Sequence, residues 1–402
     1  KSWAHTGVGM KINHNLAILF FTMAVVMLGF GIIIPILPFY AENLGANGTA
    51  LGVLMAIFSV MQFIFSPIWG SLSDRIGRKP VILIGVLGNA LAQLFFGLST
   101  SLWMLIAARA LSGILSSATL PTTMAYISDS TSEKNRGGGM GIIGAAMGVG
   151  MILGPGIGGW AGSYSLSMPF FVAAALSAAA LLLVWWVLPE SLPAEQRSSK
   201  ATFNGPQFGL MWKSLWGPMG FLFFLSFLVN FALANFEGIF SLFAKHRFNY
   251  GPAEVGTIMM VIGIVSTVIQ GALTGPATRR LGENWIIKAS LLASAVGFIL
   301  MLQAKSYTSV LLTVGFFVFA NAMLRPTISS DVSKSTDMGQ GMAMGLNNAF
   351  MSLGRIVGPL WAGSLFDVNI SLPYLTAGIV LFITFGLSLM YLKTPSLRAE
   401  LQ

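Results

Sequence analysis

Cysteine is absent from the 402 residues, which excludes disulfides, thiolate catalysis and thiolate-bound metal. Histidine occurs three times, at His5, His14 and His246, too scattered to hold a metal ion. Charged residues make up 9% of the chain, against about 25% in an ordinary soluble domain. So few charges cannot cover a water-facing surface, and with 55% hydrophobic residues the chain reads as a multi-pass membrane protein. The nearest glycine–lysine stretch, GLMWKS at 209–214, lacks the glycine before Lys213 that a phosphate-binding loop needs. No zinc motif, nucleophile elbow or carboxylate pair occurs, so neither an enzyme nor a cofactor is expected.

A helix crosses the bilayer with about 20 apolar residues. Twelve such runs are read, at 15–39, 50–70, 80–99, 102–128, 137–162, 168–189, 218–243, 254–276, 285–304, 308–330, 341–366 and 373–392. They predict an all-α membrane protein with six-helix bundles at 15–189 and 218–392, joined by a polar linker at 190–217. Segments 1–14 and 393–402 flank the bundles. The first run is too long for the core of a cleavable signal. Met10 fits a natural start, so residues 1–9 are assigned no function.

Lysine and arginine set the orientation, because cytoplasmic loops carry the excess. With both termini inside, sixteen basic residues fall in inner segments and only Lys245, Arg247 and Lys305 in outer loops. Cytoplasmic termini are therefore expected in a cell membrane. The net charge of +9 is accounted for by topology, and nucleic acid is not an expected partner.

The halves also repeat. GMGIIGAAMGVGMILGPGIGG at 139–159 returns as AMGLNNAFMSLGRIVGPLWAG at 343–363, placing Gly150, Gly154 and Pro155 opposite Gly354, Gly358 and Pro359. GSLSDRIGR at 70–78 returns more faintly as GPATRRLGE at 275–283. A six-plus-six repeat suits a transporter whose halves rock about a midplane site.

GSLSDRIGRKP at 70–80 joins spans 2 and 3. Gly70 allows close helix approach, Gly77 a tight turn, and Asp74 can face the positive N-terminus of a neighbouring helix. Arg75, Arg78 and Lys79 add inner-face charge. The stretch resembles the signature loop of the major facilitator superfamily. RALSGILSS at 109–117 looks like that superfamily's span 4 motif, GVGMILGPGIGG at 148–159 like the span 5 motif of its antiporters, and LGFGIIIPILP at 28–38 like the first span of its twelve-helix drug/proton antiporters. NFEGIFSLF in span 7 is similar to bacterial multidrug exporters, which carry an acid there. The glycines of the span 5 motif, Gly150, Gly154 and Gly158, suit close helix packing. Pro155 removes a helical hydrogen bond and permits a hinge; sealing of the outward path is implied only by the resemblance.

Four ionisable residues lie well within the spans: Arg109, Glu237, Arg325 and Arg355. Glu237 alone can change charge during a cycle, since arginine stays protonated. It is either a proton/cation switch, or a buried structural carboxyl or one reaching to the outer surface. Asn230, Ala234, Glu237 and Ser241 share one helical face, a stripe expected to face a wet cavity. The resemblance implies that helices 1, 4, 7 and 10 line this cavity, so Arg109 and Glu237 are expected to meet at similar depth. Arg325 either lines it or snorkels inward, and Arg355 needs a carboxylate or an anionic substrate group. Related exporters often carry a second acid in span 10; this chain has Ala322 near that place and no acid before Asp331, which puts a two-proton cycle in doubt. Further cavity candidates are the amides Gln62, Asn321 and Asn347 and the apolar Ile34, Met151 and Phe240.

The resemblance implies proton-coupled export of amphipathic small molecules by a monomer, driven by the proton gradient through rocking of the two bundles. Glu237 and Arg109 would couple protons, and the 70–80 loop would gate the inner side. Alternatives are an exporter or symporter of one metabolite, or a receptor that moves nothing. Because the chain has no cysteine, orientation is directly testable. Lys305→Cys in intact cells should react with a membrane-impermeant maleimide, and Arg279→Cys only after permeabilisation; the reverse pattern would invert the topology.

Overall fold

The computed structural model describes residues 14–198, 208–335 and 339–392. Most of the N-terminal segment, part of the linker and the tail (residues 1–13, 199–207 and 393–402) lie outside the described residues. Twelve long helices and no strand occur among the described residues. The first six are α1 (His14–Asn43), α2 (Gly48–Ile76), α3 (Arg78–Leu98), α4 (Leu102–Ser130), α5 (Glu133–Tyr164) and α6 (Met168–Val187). The second six are α7 (Gly220–Phe248), α8 (Pro252–Leu281), α9 (Glu283–Gln303), α10 (Tyr307–Lys334), α11 (Gln340–Val368) and α12 (Leu372–Tyr391). One 3₁₀ turn at Ser116–Ala118 interrupts α4, one π turn at Ile269–Leu273 interrupts α8, and a short helix, Phe208–Leu215, lies in the linker.

Helices are what a bilayer permits, since each backbone group must be satisfied within its own segment. Eleven of the twelve are long and apolar enough to cross a membrane. The exception is α11, whose 29 residues include Asn347, Asn348, Ser352 and Arg355. It is nonetheless packed between α2 and α7, with Asn347 buried against protein and Asn348, Ser352 and Arg355 facing the cavity between the halves. Two equivalent turns use glycine in the left-handed region: Gly77 at φ 107° between α2 and α3, and Gly282 at φ 80° between α8 and α9. A residue with a Cβ would be strained at either place.

The repeat in the sequence is a repeat of contacts. Helix α5 lies along α1, and α11 lies along α7. A Cβ added to Gly154 would stand 2.7 Å from the Leu28 carbonyl oxygen, and one added to Gly358 would stand 2.6 Å from that of Phe231. Both glycines therefore let two backbones touch, as small residues do where helices meet in lipid. Pro155 and Pro359 follow them inside their helices.

The halves meet through α2 with α11, α5 with α8, and α1 with α7. At the end predicted to face outward they are tied by polar contacts. The Asp367 carboxylate at the end of α11 accepts from the backbone N–H of Gly48 at 2.6 Å and of Thr49 at 2.9 Å, and from the Thr49 hydroxyl at 2.6 Å. It thus caps α2 of the opposite half, where the helix end favours an anion. Glu42 of α1 binds Lys245 of α7 at 2.7 Å and His246 at 2.9 Å. At the other end, Cβ atoms added to Gly70, Gly141, Gly144, Gly275 and Gly345 would meet nothing within 4 Å. The close approach expected of Gly70 is therefore absent in this conformation, because the ends predicted to face inward stand apart.

Asp367→Ala removes the cap while leaving the helix packing in place. Spin labels at Ser163→Cys and Ala253→Cys, on the outer ends of α5 and α8, should show a larger share of long distances in that variant than in the parent; an unchanged distribution would show that the cap does not hold the outer end closed.

Candidate functional site

A cavity of about 730 Å³ opens between the two halves, at the end predicted to face inward. Its wall includes Gln62, Phe63, Ser66 and Pro67 of α2, Leu120 of α4 and Met147 of α5, with Leu210 and Met211 of the linker helix. The other half contributes Arg325 of α10 and a run of α11 from Met342 through Leu346, Asn348 and Met351 to Ser352 and Arg355. Of the residues expected to line a cavity, Gln62, Arg325 and Arg355 do so.

The expected polar stripe of α7 is turned differently. Asn230 and Ala234 are buried and lie against Gly354 and Gly358 of α11, Asn230 donating to the Ser226 carbonyl at 2.8 Å. Ser241 is fully buried with its hydroxyl unpartnered. Asn230 and Ala234 are therefore helix-packing positions, on the face of α7 that α11 covers, and none of the three lines the cavity. Phe240 packs on Phe236 in the core, Ile34 is buried, and Met151 approaches Gly263 where α5 meets α8. Asn321 is buried with its amide nitrogen unpartnered. Asn347 joins three helices, accepting from Ser226 of α7 and donating to Ser329 of α10.

Glu237 keeps partial exposure, unlike its buried neighbours Phe236 and Gly238. It makes no hydrogen bond or ion pair among the described residues; the charges that act on it are Arg325 and Arg355. Arg109 does not meet it. The Arg109 guanidinium lies 4.5 Å from the centre of the Phe58 ring and 5.8 Å from that of Phe30, with Met55 Sδ 3.9 Å away, all in the N-terminal half. It is 3% exposed and its Nε and Nη1 have no partner, so aromatic faces take the place of the expected carboxylate. The intramembrane charges thus divide by half, with Arg109 alone in one and Glu237, Arg325 and Arg355 together in the other.

Comparison with known proteins agrees with this architecture. The family model of the Major Facilitator Superfamily matches residues 19–338 and 222–402. The chain belongs to the Major Facilitator Superfamily. It is 35% identical to Multidrug resistance protein 2 of Bacillus subtilis over 96% of both chains. It is 32% identical to Quinolone resistance protein NorA of Staphylococcus aureus, over 92% of this chain and 95% of that one. Among solved structures, the human organic anion transporter MFSD10 superposes with a TM-score of 0.68 at 26% identity, covering 93% of this chain and 98% of that one. The nucleoside transporter NupG reaches 0.78 at 18% identity over 95% and 100%, a likeness of fold. As a member of a superfamily of transporters, the chain is a multi-pass membrane transport protein and not an enzyme.

The superfamily's loop at 70–80 forms a polar knot within the N-terminal half. Arg78, 7% exposed, donates to Asp74 at 2.6 Å, to Asp129 of α4 at 2.8 Å and to Ser73 at 2.7 Å. Lys79 donates to the Trp185 carbonyl of α6 at 2.7 Å, while Arg75 is exposed. Asp74 does not face a helix N-terminus; that place is held by Glu190, which accepts from the Arg78 and Lys79 backbone N–H at 2.8 and 3.2 Å. Asp74 is drawn instead to the guanidinium four residues on. Glu190 was missed because it lies 112 residues from the helix it caps; its position just after an apolar span is the one signal that could have found it. The missed cavity residues of the linker helix carry an amphipathic apolar face, but nothing local says which bundle that face meets.

Arg78→Ala removes the donor that Asp74, Asp129 and Ser73 share. A loss of about 2 kcal/mol, the range of hydrogen bonds to a charged group, should lower the Tm of the detergent-purified protein by several degrees, whereas Arg75→Ala should leave it unchanged.

Proposed function

We propose that this transporter exports amphipathic small molecules in exchange for protons, by alternating access between its two six-helix halves. The observation that carries the reading is Glu237: a single partly exposed carboxyl inside the spans, in electrostatic reach of two arginines, in a molecule closed at one end and open at the other. A carboxyl in such surroundings changes its proton affinity as the site passes between wet and dry, or gains and loses a cationic group. An amine entering from the inner side replaces the proton on Glu237; a proton arriving from the outer side displaces the amine. Phe63, Leu120, Met147, Met211 and Met351 give the cavity flexible, apolar walls that adapt to differing shapes. The names of the B. subtilis and S. aureus relatives, which concern multidrug and quinolone resistance, support the same reading.

The exchange needs the halves to move, and the polar ties of Asp367 to α2 and of Glu42 to α7 are ones that water can replace when the halves part. Arg109 acts within the N-terminal half, holding α1, α2 and α4 together through Phe30, Met55 and Phe58, and bears on coupling by positioning those helices. In proteoliposomes with an imposed pH gradient, Glu237→Gln should abolish proton-driven movement of a cationic dye while dye–dye exchange without a gradient persists. Proton-driven transport at the parental rate would overturn the mechanism.

A further inference from the structure

The linker helix, Phe208–Leu215, presents apolar groups on two sides. One side meets protein. It packs on α7 and α11, Met211 and Ser214 are buried, and Leu210 and Met211 form part of the cavity wall. The other side is open. Phe208, Trp212 and Trp216 stand four residues apart and so form one row along the helix; they are 62%, 64% and 78% exposed. The rings of Trp212 and Trp216 touch, with centres 6.0 Å apart. Lys213, also exposed, lies at the edge of the row. Three large aromatic side chains in contiguous exposure mark an interaction surface and not a face made for water.

What covers the row is indicated by where it lies. At the same end of the molecule, Trp185 and Trp186 stand in the last turn of α6, Trp285 in the first turn of α9 and Tyr391 at the end of α12, each more than half exposed. Trp103, Trp160 and Tyr164 are their exposed counterparts at the opposite end. Tryptophan and tyrosine collect in two such belts at the membrane–water interfaces, where the ring sits among acyl chains and its N–H or O–H reaches the headgroups. Phe208, Trp212 and Trp216 continue the belt at the cavity's open end.

We propose that this aromatic row is a membrane-docking surface, seated in the headgroup region of the phospholipid leaflet at the open end. The linker helix then lies in the interface plane as an amphipathic helix does, with Lys213 at its edge reaching lipid phosphate. Its opposite side is cavity wall, so the bilayer carries one wall of the cavity. The helix is packed on the C-terminal half, yet the Phe208 ring centre lies 6.1 Å from that of Phe63 on α2 of the other half. It therefore screens the seam between α2 and α11 beside the cavity, and the Phe63–Phe208 contact is the one that changes as α2 moves. The surface does not depend on what the cavity carries.

Because the chain has no cysteine, single spin labels report each side of the helix. In lipid nanodiscs, labels at Phe208→Cys, Trp212→Cys and Trp216→Cys should collide with dissolved oxygen more than with a water-soluble nickel chelate, as labels at Trp186→Cys and Trp285→Cys do. A label at Lys213→Cys should favour the chelate. Preference for the chelate at all three aromatic positions would overturn the proposal, since the row would then face water. Spin–spin broadening that vanishes on dilution with unlabelled protein would overturn it in favour of a second copy of the chain. Each of these labels replaces one anchor, so a second measurement keeps the row intact in the parent. The distance between labels at Ser66→Cys and Gly209→Cys should shift to a longer, broader distribution when Trp212→Gln and Trp216→Gln are combined. An unchanged distribution would show that the bilayer does not hold this wall.

Discussion

Within hydrocarbon a helix gains nothing by turning an apolar face to another helix, because lipid is just as apolar. Association rests on close backbone contact and on polar groups that find each other. Helices α5 and α11 meet this constraint with glycines that place their backbones against α1 and α7 at matching points of the two halves. Each also reaches across to the other half, α5 to α8 and α11 to α2. The same two helices therefore hold the bundles together internally and carry the surfaces along which the bundles part. Prolines inside both add a place to bend.

The polar contacts are distributed to match. At the closed end, Asp367 and Glu42 bridge the halves through a helix N-terminus and a lysine–histidine pair. At the open end, the knot around Arg78 and Glu190 stays inside one half, and the Glu283–Lys334 pair stays inside the other. A cross-half tie that can be exchanged for solvent costs little to break, whereas a knot within a half keeps each bundle rigid while it moves. Between these ends lie the three charges of the C-terminal half, where desolvation is strongest and each group depends on the others for compensation.

Much of the fold was legible in order along the chain. The twelve spans agree with the long helices to within a few residues at most ends; α2, α7 and α8 extend further at their C-terminal ends. Gly77 was legible as a turn, because only glycine adopts its backbone angles without strain, and Gly282 is its counterpart in the repeat. The exception is instructive: α11 reads as a weaker span because its polar residues are spent on neighbours, Asn347 on Ser226 and Ser329, and Arg355 on the cavity. Hydropathy measures what a helix would cost in lipid, and the polar residues of α11 face protein or the cavity while Val357 and Trp361 are exposed.

The site divides along a similar line. Composition and the lone carboxyl at Glu237 determined, without any structure, that this is a membrane protein with one titratable acid among its spans. The resemblance of its motifs placed it among transporters. How the charges are distributed was decided only by tertiary structure: Arg109 lies on Phe30 and Phe58 in one half, Glu237 falls in the other half within the field of Arg325 and Arg355, and Asn230 and Ala234 pack on α11. In a soluble helix the apolar stripe reveals which side faces the core. In a helix apolar all round, lipid and protein interior are the same to the sequence, so rotation about the helix axis is fixed by packing alone.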